Sequence, residues 1–122
     1  MASDAKALIE TAVDRTVAEV PALANLKLVV GLEFRGGRDV QMFRLELPGP
    51  KVTKDIAADA RVRLYMPRAA FNELATKGNV KAWRRAFATG EAKAEGNEQI
   101  LRLIAQVIEK QEERSRTRKV HR

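Results

Sequence analysis

The chain has 122 residues, no cysteine, one histidine and a formal net charge of +7, which fits a single domain of ordinary size. The lack of cysteine excludes a disulfide scaffold, a thiolate nucleophile and a cysteine-based zinc site. The only histidine, His121, is next to last, and the only serines are Ser3 and Ser115, so serine–histidine hydrolysis and imidazole metal ligation lack their residues. We therefore expect a protein that is not an enzyme and that has no metal or cofactor.

Residues 3–20 are predicted to form an amphipathic helix. Their apolar residues recur at spacings of three and four, from Ala5 to Val17, and the charged residues lie away from that face. Ser3 can cap the helix, and Pro21 ends it because proline cannot continue a helix.

A β-hairpin is predicted next, with strands at 27–34 and 39–47. Apolar and polar residues alternate in the first strand, and the two glycines of 35–38 accept the backbone angles of a tight turn. The alternation slips near Met42 and Phe43 in the second strand. Either a bulge lies there or both faces of the strand are partly covered.

Two more strands are predicted at 51–56 and 61–66. The first is a short edge strand after the proline-rich turn at 48–50. The second alternates strictly, with apolar residues on one face and two arginines and a tyrosine on the other. This one-sided pattern is typical of antiparallel sheets that pack one face on a core.

Two short helices follow, at 67–78 and 80–90. Proline suits the first turn of the first helix, and a glycine ends each of them. Asn79 is the predicted N-cap of the second helix, whose apolar face includes Trp83 and Phe87.

A brief strand at 91–95 and a long helix complete the folded part. Asn97 is the predicted cap of this helix, and its apolar stripe runs from Ile100 to Ile108. The order of elements predicts a single-domain α+β fold with a mostly antiparallel sheet and helices packed on one face.

The net charge is concentrated in the last nine residues. Residues 114–122 contain five basic and no acidic side chains, which leaves 18 basic and 16 acidic residues, a net of +2, in 1–113. We expect 1–113 to be the folded domain and 114–122 a disordered basic tail. Such a tail can bind an anionic membrane surface or nucleic acid, but the lack of aromatic residues in it argues against nucleic acid. Without a transmembrane run or a secretory signal pattern, the expected location is the cytoplasm.

Residues 86–97 contain an Ala-Phe pair, a glycine, a short alternating strand and a Gly-Asn pair that opens the last helix. This segment resembles the sterol carrier protein (type two) family, and so do the strand at 60–64 and the Phe-x-x-Leu pattern at 71–74. The likeness covers about residues 3–110. It implies a five-stranded sheet, an apolar cavity between sheet and helices, and binding of fatty acyl chains, acyl-CoA, phospholipids or sterols without chemistry on them.

The sequence departs from the family pattern at two places. Ala92 and Ala94 stand where larger aliphatic residues are usual, which leaves room for a ligand or for closer helix packing. The C-terminal residues 119–122 are not the Ser-Lys-Leu peroxisomal signal, which is compatible with a bacterial protein.

The candidate ligand site is a set of apolar side chains that the resemblance places around the cavity. Periodicity alone is equally satisfied if they form a closed core. Arg84 and Arg85 are candidates for binding an anionic headgroup, and the alternative is that they are solvated residues on the polar side of their helix. The nine apolar candidates are Phe34, Phe43, Leu64, Phe71, Trp83, Phe87, Leu101, Ile104 and Ile108.

The predicted function is non-catalytic binding or transfer of a hydrophobic ligand or lipid. Two alternatives stay open. One is a protein-interaction or dimerisation module with a closed core, for which the partner is a second copy of the chain. The other is electrostatic binding of a membrane or nucleic acid through the tail.

Overall fold

The computed structural model describes the backbone of residues 2–120 and the side chains of residues 5–114. His121 and the capping role predicted for Ser3 lie outside those described residues. Within them the chain forms four helices and a five-stranded sheet, which confirms the predicted α+β class. The elements are α1 (Ala2–Glu19), a 3₁₀ turn (Pro21–Asn25), β1 (Leu28–Gly36), β2 (Asp39–Leu47), β3 (Lys51–Thr53), β4 (Val62–Pro67), α2 (Arg68–Lys77), α3 (Val80–Thr89), β5 (Lys93–Gly96) and α4 (Glu98–Val120).

The strands of the sheet lie in the order β3-β2-β1-β4-β5. Strands β1 and β4 are parallel, and the other neighbouring pairs are antiparallel. The sheet is therefore mixed but mostly antiparallel, as predicted. The parallel pair arises because the chain crosses from the edge strand β3 back to the far side of β1 before it forms β4.

The β1–β2 hairpin has an unbroken register from Leu28 opposite Leu47 to Gly36 opposite Asp39. The bulge considered for residues 42–43 is therefore absent from this hairpin. The apolar–polar alternation of β2 is interrupted for another reason: Val40 and Met42 are apolar but lie on the outer face of the sheet. Val40 is 48% exposed and Met42 is half-buried, so the outer face is covered only in part.

Strand β3 ends at Thr53, three residues before the predicted end. The backbone N–H of Ile56 donates to a carboxylate oxygen of Asp55 at 2.6 Å, and Ala57 has a φ of 61°. A local side-chain hydrogen bond and a left-handed residue form a turn, and neither is compatible with an extended strand.

The caps of the C-terminal helices are where the sequence predicts them. Asn79 Oδ1 accepts from the backbone N–H of Ala82 at 2.9 Å, and Asn97 Oδ1 accepts from that of Ile100 at 3.2 Å. Gly90 ends α3 with a φ of 85°, a left-handed conformation that costs glycine little.

Helix α4 is longer than predicted. It continues through Val120, so the backbone of residues 114–120 is helical where we expected a disordered tail beginning at Arg114. Arginine and lysine are good helix formers, and cations near a helix C-terminus interact favourably with its dipole. Among the described residues, no helix has the length and apolar character needed to cross a membrane.

The core lies between the helices and one face of the sheet. Phe34 is almost fully buried and stacks on Phe71 of α2, with 4.1 Å between ring centroids. Ile9 of α1 is 1% exposed and belongs to the same cluster. The opposite face of the sheet carries charged side chains such as Arg44 and Arg63. A binding site for an apolar ligand is therefore expected on the helical side of the sheet.

Candidate functional site

An apolar cavity of about 670 Å³ lies on the helical side of the sheet. Side chains from α1, the 3₁₀ turn, the three central strands and helices α2, α3 and α4 surround it, so every layer of the fold contributes to its wall. The lining residues are Ile9, Ala12, Val13, Asp14, Thr16, Val17, Leu23, Ala24, Leu26, Leu28, Val30, Leu32, Phe34, Leu45, Leu47, Pro48, Gly49, Pro50, Val62, Leu64, Met66, Phe71, Trp83, Arg84, Phe87, Ala94, Leu101, Ile104, Ala105 and Ile108.

Few polar groups reach this cavity. Asp14, Thr16 and Arg84 are its only lining residues with a charged or hydroxyl side chain among the described residues. The Thr16 hydroxyl already donates to the carbonyl oxygen of Ala12 at 2.7 Å. The wall therefore offers hydrocarbon surface to a ligand and almost no hydrogen-bonding groups.

Eight of the nine apolar residues predicted from the sequence line this cavity. The exception is Phe43, which is 2% exposed and packs beside Phe34 at 5.8 Å between ring centroids. Phe43 is therefore a core residue outside the cavity wall, and contact between Phe43 and a ligand stays a prediction. Strand alternation alone puts Phe34 and Phe43 on the same face, so it does not separate wall from core.

The aromatic part of the wall is a connected cluster. Phe71 lies between Phe34 and Trp83, and the Phe71 and Trp83 rings meet edge to face with centroids 6.2 Å apart. Phe87 follows Trp83 by one helical turn, and both are half-buried. Trp83 is the only tryptophan, so its fluorescence reports directly on this cavity.

The two arginines predicted as headgroup candidates differ in position. Arg84 lines the cavity, and its side chain is 45% exposed. It pairs with Glu112 of α4 and lies 4.0 Å from Glu109 on the same helix. Arg85 is exposed and is not part of the wall. Helix α3 places these neighbours about 100° apart, so only one of them faces the cavity rim.

The two alanines that depart from the family pattern differ in burial and in position. Ala92 is 1% exposed, and its N–H donates to the carbonyl oxygen of Ala86 at 3.0 Å, so it serves close packing of the chain after α3. Ala94 is exposed at the cavity. A small residue at position 94 therefore leaves room in the cavity.

Several lining residues were not predicted. Ile9 and Val17 of α1 belong to the apolar stripe already recognised in that helix, so its period was sufficient to propose them. The contributions of Leu23, Leu26 and residues 48–50 come from a 3₁₀ turn and a strand connection. Such segments have no regular spacing of apolar residues by which a sequence could reveal them.

The outer face of the sheet holds a different, charged arrangement. The Arg44 guanidinium donates to both carboxylate oxygens of Asp59, at 3.1 and 2.7 Å, and to Glu46 at 2.9 Å. These hydrogen bonds lower the pKa of Asp59 and raise that of Arg44. Asp55, in turn, accepts from its neighbouring amide. Both aspartates thus have structural partners in this part of the chain.

Tyr65 lies near this charged surface, on the last-but-one strand of the sheet. Burial raises the pKa of its hydroxyl, and the nearby carboxylate of Glu95 raises it further. The hydroxyl therefore stays neutral at physiological pH. Among the described residues, no group of three or more histidine, cysteine, aspartate or glutamate side chains is arranged to hold a metal ion.

Comparison with known proteins finds similar solved structures but no match by sequence. Neither a protein-family model nor a curated protein matches the sequence. Three similar solved structures all cover most of the chain. Sterol carrier protein 2-like 2 from Aedes aegypti, solved in solution in palmitated form, has a TM-score of 0.57 and 21% identity, and covers 82% of this chain and 93% of its own.

The crystal structure of the same Aedes aegypti protein gives a TM-score of 0.55 and 20% identity over 84% of this chain and 97% of that one. The sterol carrier protein domain 2 of Helicoverpa armigera gives 0.52 and 18% identity over 84% and 83%. The resemblance seen in the sequence is confirmed at the level of structure: the chain has a sterol carrier protein 2-like fold.

Proposed function

We propose that the protein binds the hydrocarbon part of a lipid in the apolar cavity and catalyses no reaction on it. The observation that carries this proposal is the cavity of about 670 Å³ with a wall of aliphatic and aromatic side chains. That volume lies within the range of about 300–1,000 Å³ typical of small-molecule sites.

The energy of such a space supports an occupant. At about 24 cal/mol per Å³, a dry and closed void of this volume would cost about 16 kcal/mol. The whole stability of a small domain is only about 5–15 kcal/mol. The cavity opens to solvent, so water can enter it, but its wall offers water few polar partners. A hydrocarbon chain satisfies the wall by dispersion contacts alone.

The similar proteins suggest which lipid to test first. The Aedes aegypti structure in solution is described as palmitated, and the similar proteins are named as carriers. A long-chain fatty acid therefore fits both that precedent and the apolar wall. Of the two arginines, we propose Arg84 as the one that meets an anionic headgroup, because it lines the cavity and Arg85 does not.

Titration with palmitate tests the proposal directly. We expect a saturable change in Trp83 fluorescence and a higher melting temperature, since a ligand that binds only the folded state stabilises it by mass action. At a free concentration of 100 times the Kd, the gain is about 2.7 kcal/mol. Catalysis is tested in separate samples with palmitoyl-CoA, a thioester that mass spectrometry should recover unchanged.

One set of results would refute lipid binding. If palmitate, acyl-CoA, phospholipid and sterol all leave both the fluorescence and the melting temperature unchanged, the lipid-binding proposal fails. The interaction or dimerisation module would then be the better reading of this fold.

A further inference from the structure

Helix α4 carries an unusual exposed stripe. Leu103, Val107, Lys110 and Arg114 follow one another at spacings of four, three and four, so they lie on one side of the helix. Leu103 is 46% exposed, and Lys110 and Arg114 are exposed. Val107 is half-buried. We call these four residues the α4 stripe: a partly exposed apolar start followed by exposed basic side chains.

Two acidic residues of α4 lie elsewhere on the helix. Glu109 and Glu112 are turned toward Arg84 of α3. Glu113 is exposed beside Arg114 and one turn after Lys110, so it offsets part of the charge of the stripe. Beyond Arg114 the helical backbone continues through Val120, and positions 115–120 contain three more basic residues and no acidic one. The positive charge therefore increases toward the end of the helix.

The same helix also forms part of the cavity wall. Leu101, Ile104 and Ile108 line the cavity, whereas Leu103 and Lys110 face away from it. Past Ile108, α4 continues for twelve residues, about 18 Å at 1.5 Å per residue. The basic segment thus projects beyond the site.

We propose that the α4 stripe and its basic extension dock the protein on an anionic lipid bilayer. The basic side chains are attracted by anionic headgroups, and Leu103 enters the interface between headgroups and acyl chains. Docking through the stripe brings the outer side of α4 to the membrane surface, while Leu101, Ile104 and Ile108 on its inner side continue to line the cavity. Nucleic acid would be attracted by the same charge, but an exposed leucine adds nothing to phosphate binding, and residues 98–120 hold no aromatic side chain to stack on bases.

Vesicle sedimentation tests this surface on the full chain. We expect binding to vesicles of phosphatidylcholine mixed with phosphatidylserine, and much weaker binding to phosphatidylcholine alone. Near an anionic surface each basic residue contributes about fivefold in affinity, so the double variant Lys110→Gln/Arg114→Gln should bind about 25-fold more weakly. Binding should also fall at about 1 M salt, where the Debye length is about 3 Å.

A matched control removes the same charge elsewhere. Arg38 and Lys54 are exposed at the hairpin turn and after β3, the edge strand farthest from β5. The variant Arg38→Gln/Lys54→Gln should bind the mixed vesicles like the unaltered protein. Leu103→Ser should weaken the binding that survives at high salt, because that part depends on apolar insertion.

Three outcomes would overturn the proposal. They are equal loss of binding in the control and the α4 variant, indifference to phosphatidylserine, and binding of duplex DNA without binding of vesicles. Palmitate binding is measured separately in vesicle-free buffer, where the α4 variant should behave like the unaltered protein. Failure of palmitate binding would therefore count against the proposed function alone.

Discussion

Two phenylalanines in different surroundings allow cavity lining to be separated from core packing. Phe43 is 2% exposed and packs away from the cavity, whereas Phe87 is half-buried and belongs to its wall. Alanine substitutions at the two positions remove the same ring. They should have different consequences for stability and for ligand binding.

The structure sets the size of each effect. Phe43→Ala leaves a new void in a packed region, which costs about 3–5 kcal/mol and lowers the melting temperature by about 4 °C for each kcal/mol, or about 12–20 °C in total. Phe87→Ala enlarges a space that already exists, and part of the ring is already exposed. We expect it to cost about 1–2 kcal/mol, less than complete burial of the ring is worth.

Ligand binding should show the reverse order. Phe87→Ala removes part of the wall that contacts an acyl chain, and the loss of about 1–2 kcal/mol of apolar contact weakens palmitate binding about tenfold. Phe43→Ala should leave the Kd nearly unchanged. Fluorescence of Trp83 gives the Kd, and thermal melts with and without palmitate give both stability effects.

Phe43→Leu serves as the milder substitution where the alanine variant does not fold. The distinction between wall and core would be refuted if both positions lost palmitate affinity equally. It would also be refuted if Phe87→Ala cost as much stability as Phe43→Ala and left the Kd unchanged.

Three further outcomes follow from local geometry. Gly96→Ala should lower the melting temperature far more than Gly90→Ala. Both glycines have positive φ, which costs about 1–2 kcal/mol for alanine. A Cβ at Gly96 would in addition overlap the backbone of the neighbouring strand, whereas a Cβ at Gly90 meets nothing within 4 Å. Glu112→Gln should change the free energy of unfolding by less than about 1 kcal/mol, because its ion pair is exposed, while amide exchange in the second half of α4 becomes faster. The pKa of Asp59 is lower in the folded protein than its ordinary value, so the ionised carboxylate stabilises the fold above the ordinary pKa, and this stabilisation is lost as the pH falls through the native pKa. Arg44→Gln should therefore make the free energy of unfolding depend less steeply on pH below about pH 4.

Much of the fold could be predicted because local signals agreed with one another. The asparagine caps, the glycine at the end of α3 and the alternation in β4 each depend on neighbouring residues alone, and all are found where predicted. The errors occurred where tertiary context decides. Asp55 is of a residue type common in turns, but one aspartate does not decide between a turn and a strand in residues 51–56. The charged sequence after residue 113 is compatible with either a coil or the helix that it forms.

The candidate site was predictable as a face but not as a cavity. Period-two alternation assigns Phe34 and Phe43 to the helical side of the sheet, and their burial agrees with it. Whether such a residue meets a neighbour or an open space depends on how far α3 and α4 stand from the sheet. That distance is a property of the whole packing arrangement, and periodicity in one segment does not encode it.

Helix α4 explains why the space stays open. None of its described side chains, from Glu98 to Arg114, is fully buried, and its apolar residues Leu101, Ile104 and Ile108 are only half-buried at the cavity. In a closed core these residues would each contribute about 1.5–3 kcal/mol by full burial. An occupant of the cavity would supply the missing contacts, so palmitate should stabilise α4 more than the hairpin. Amide exchange measured with and without palmitate tests this, and uniform protection of both elements would contradict it.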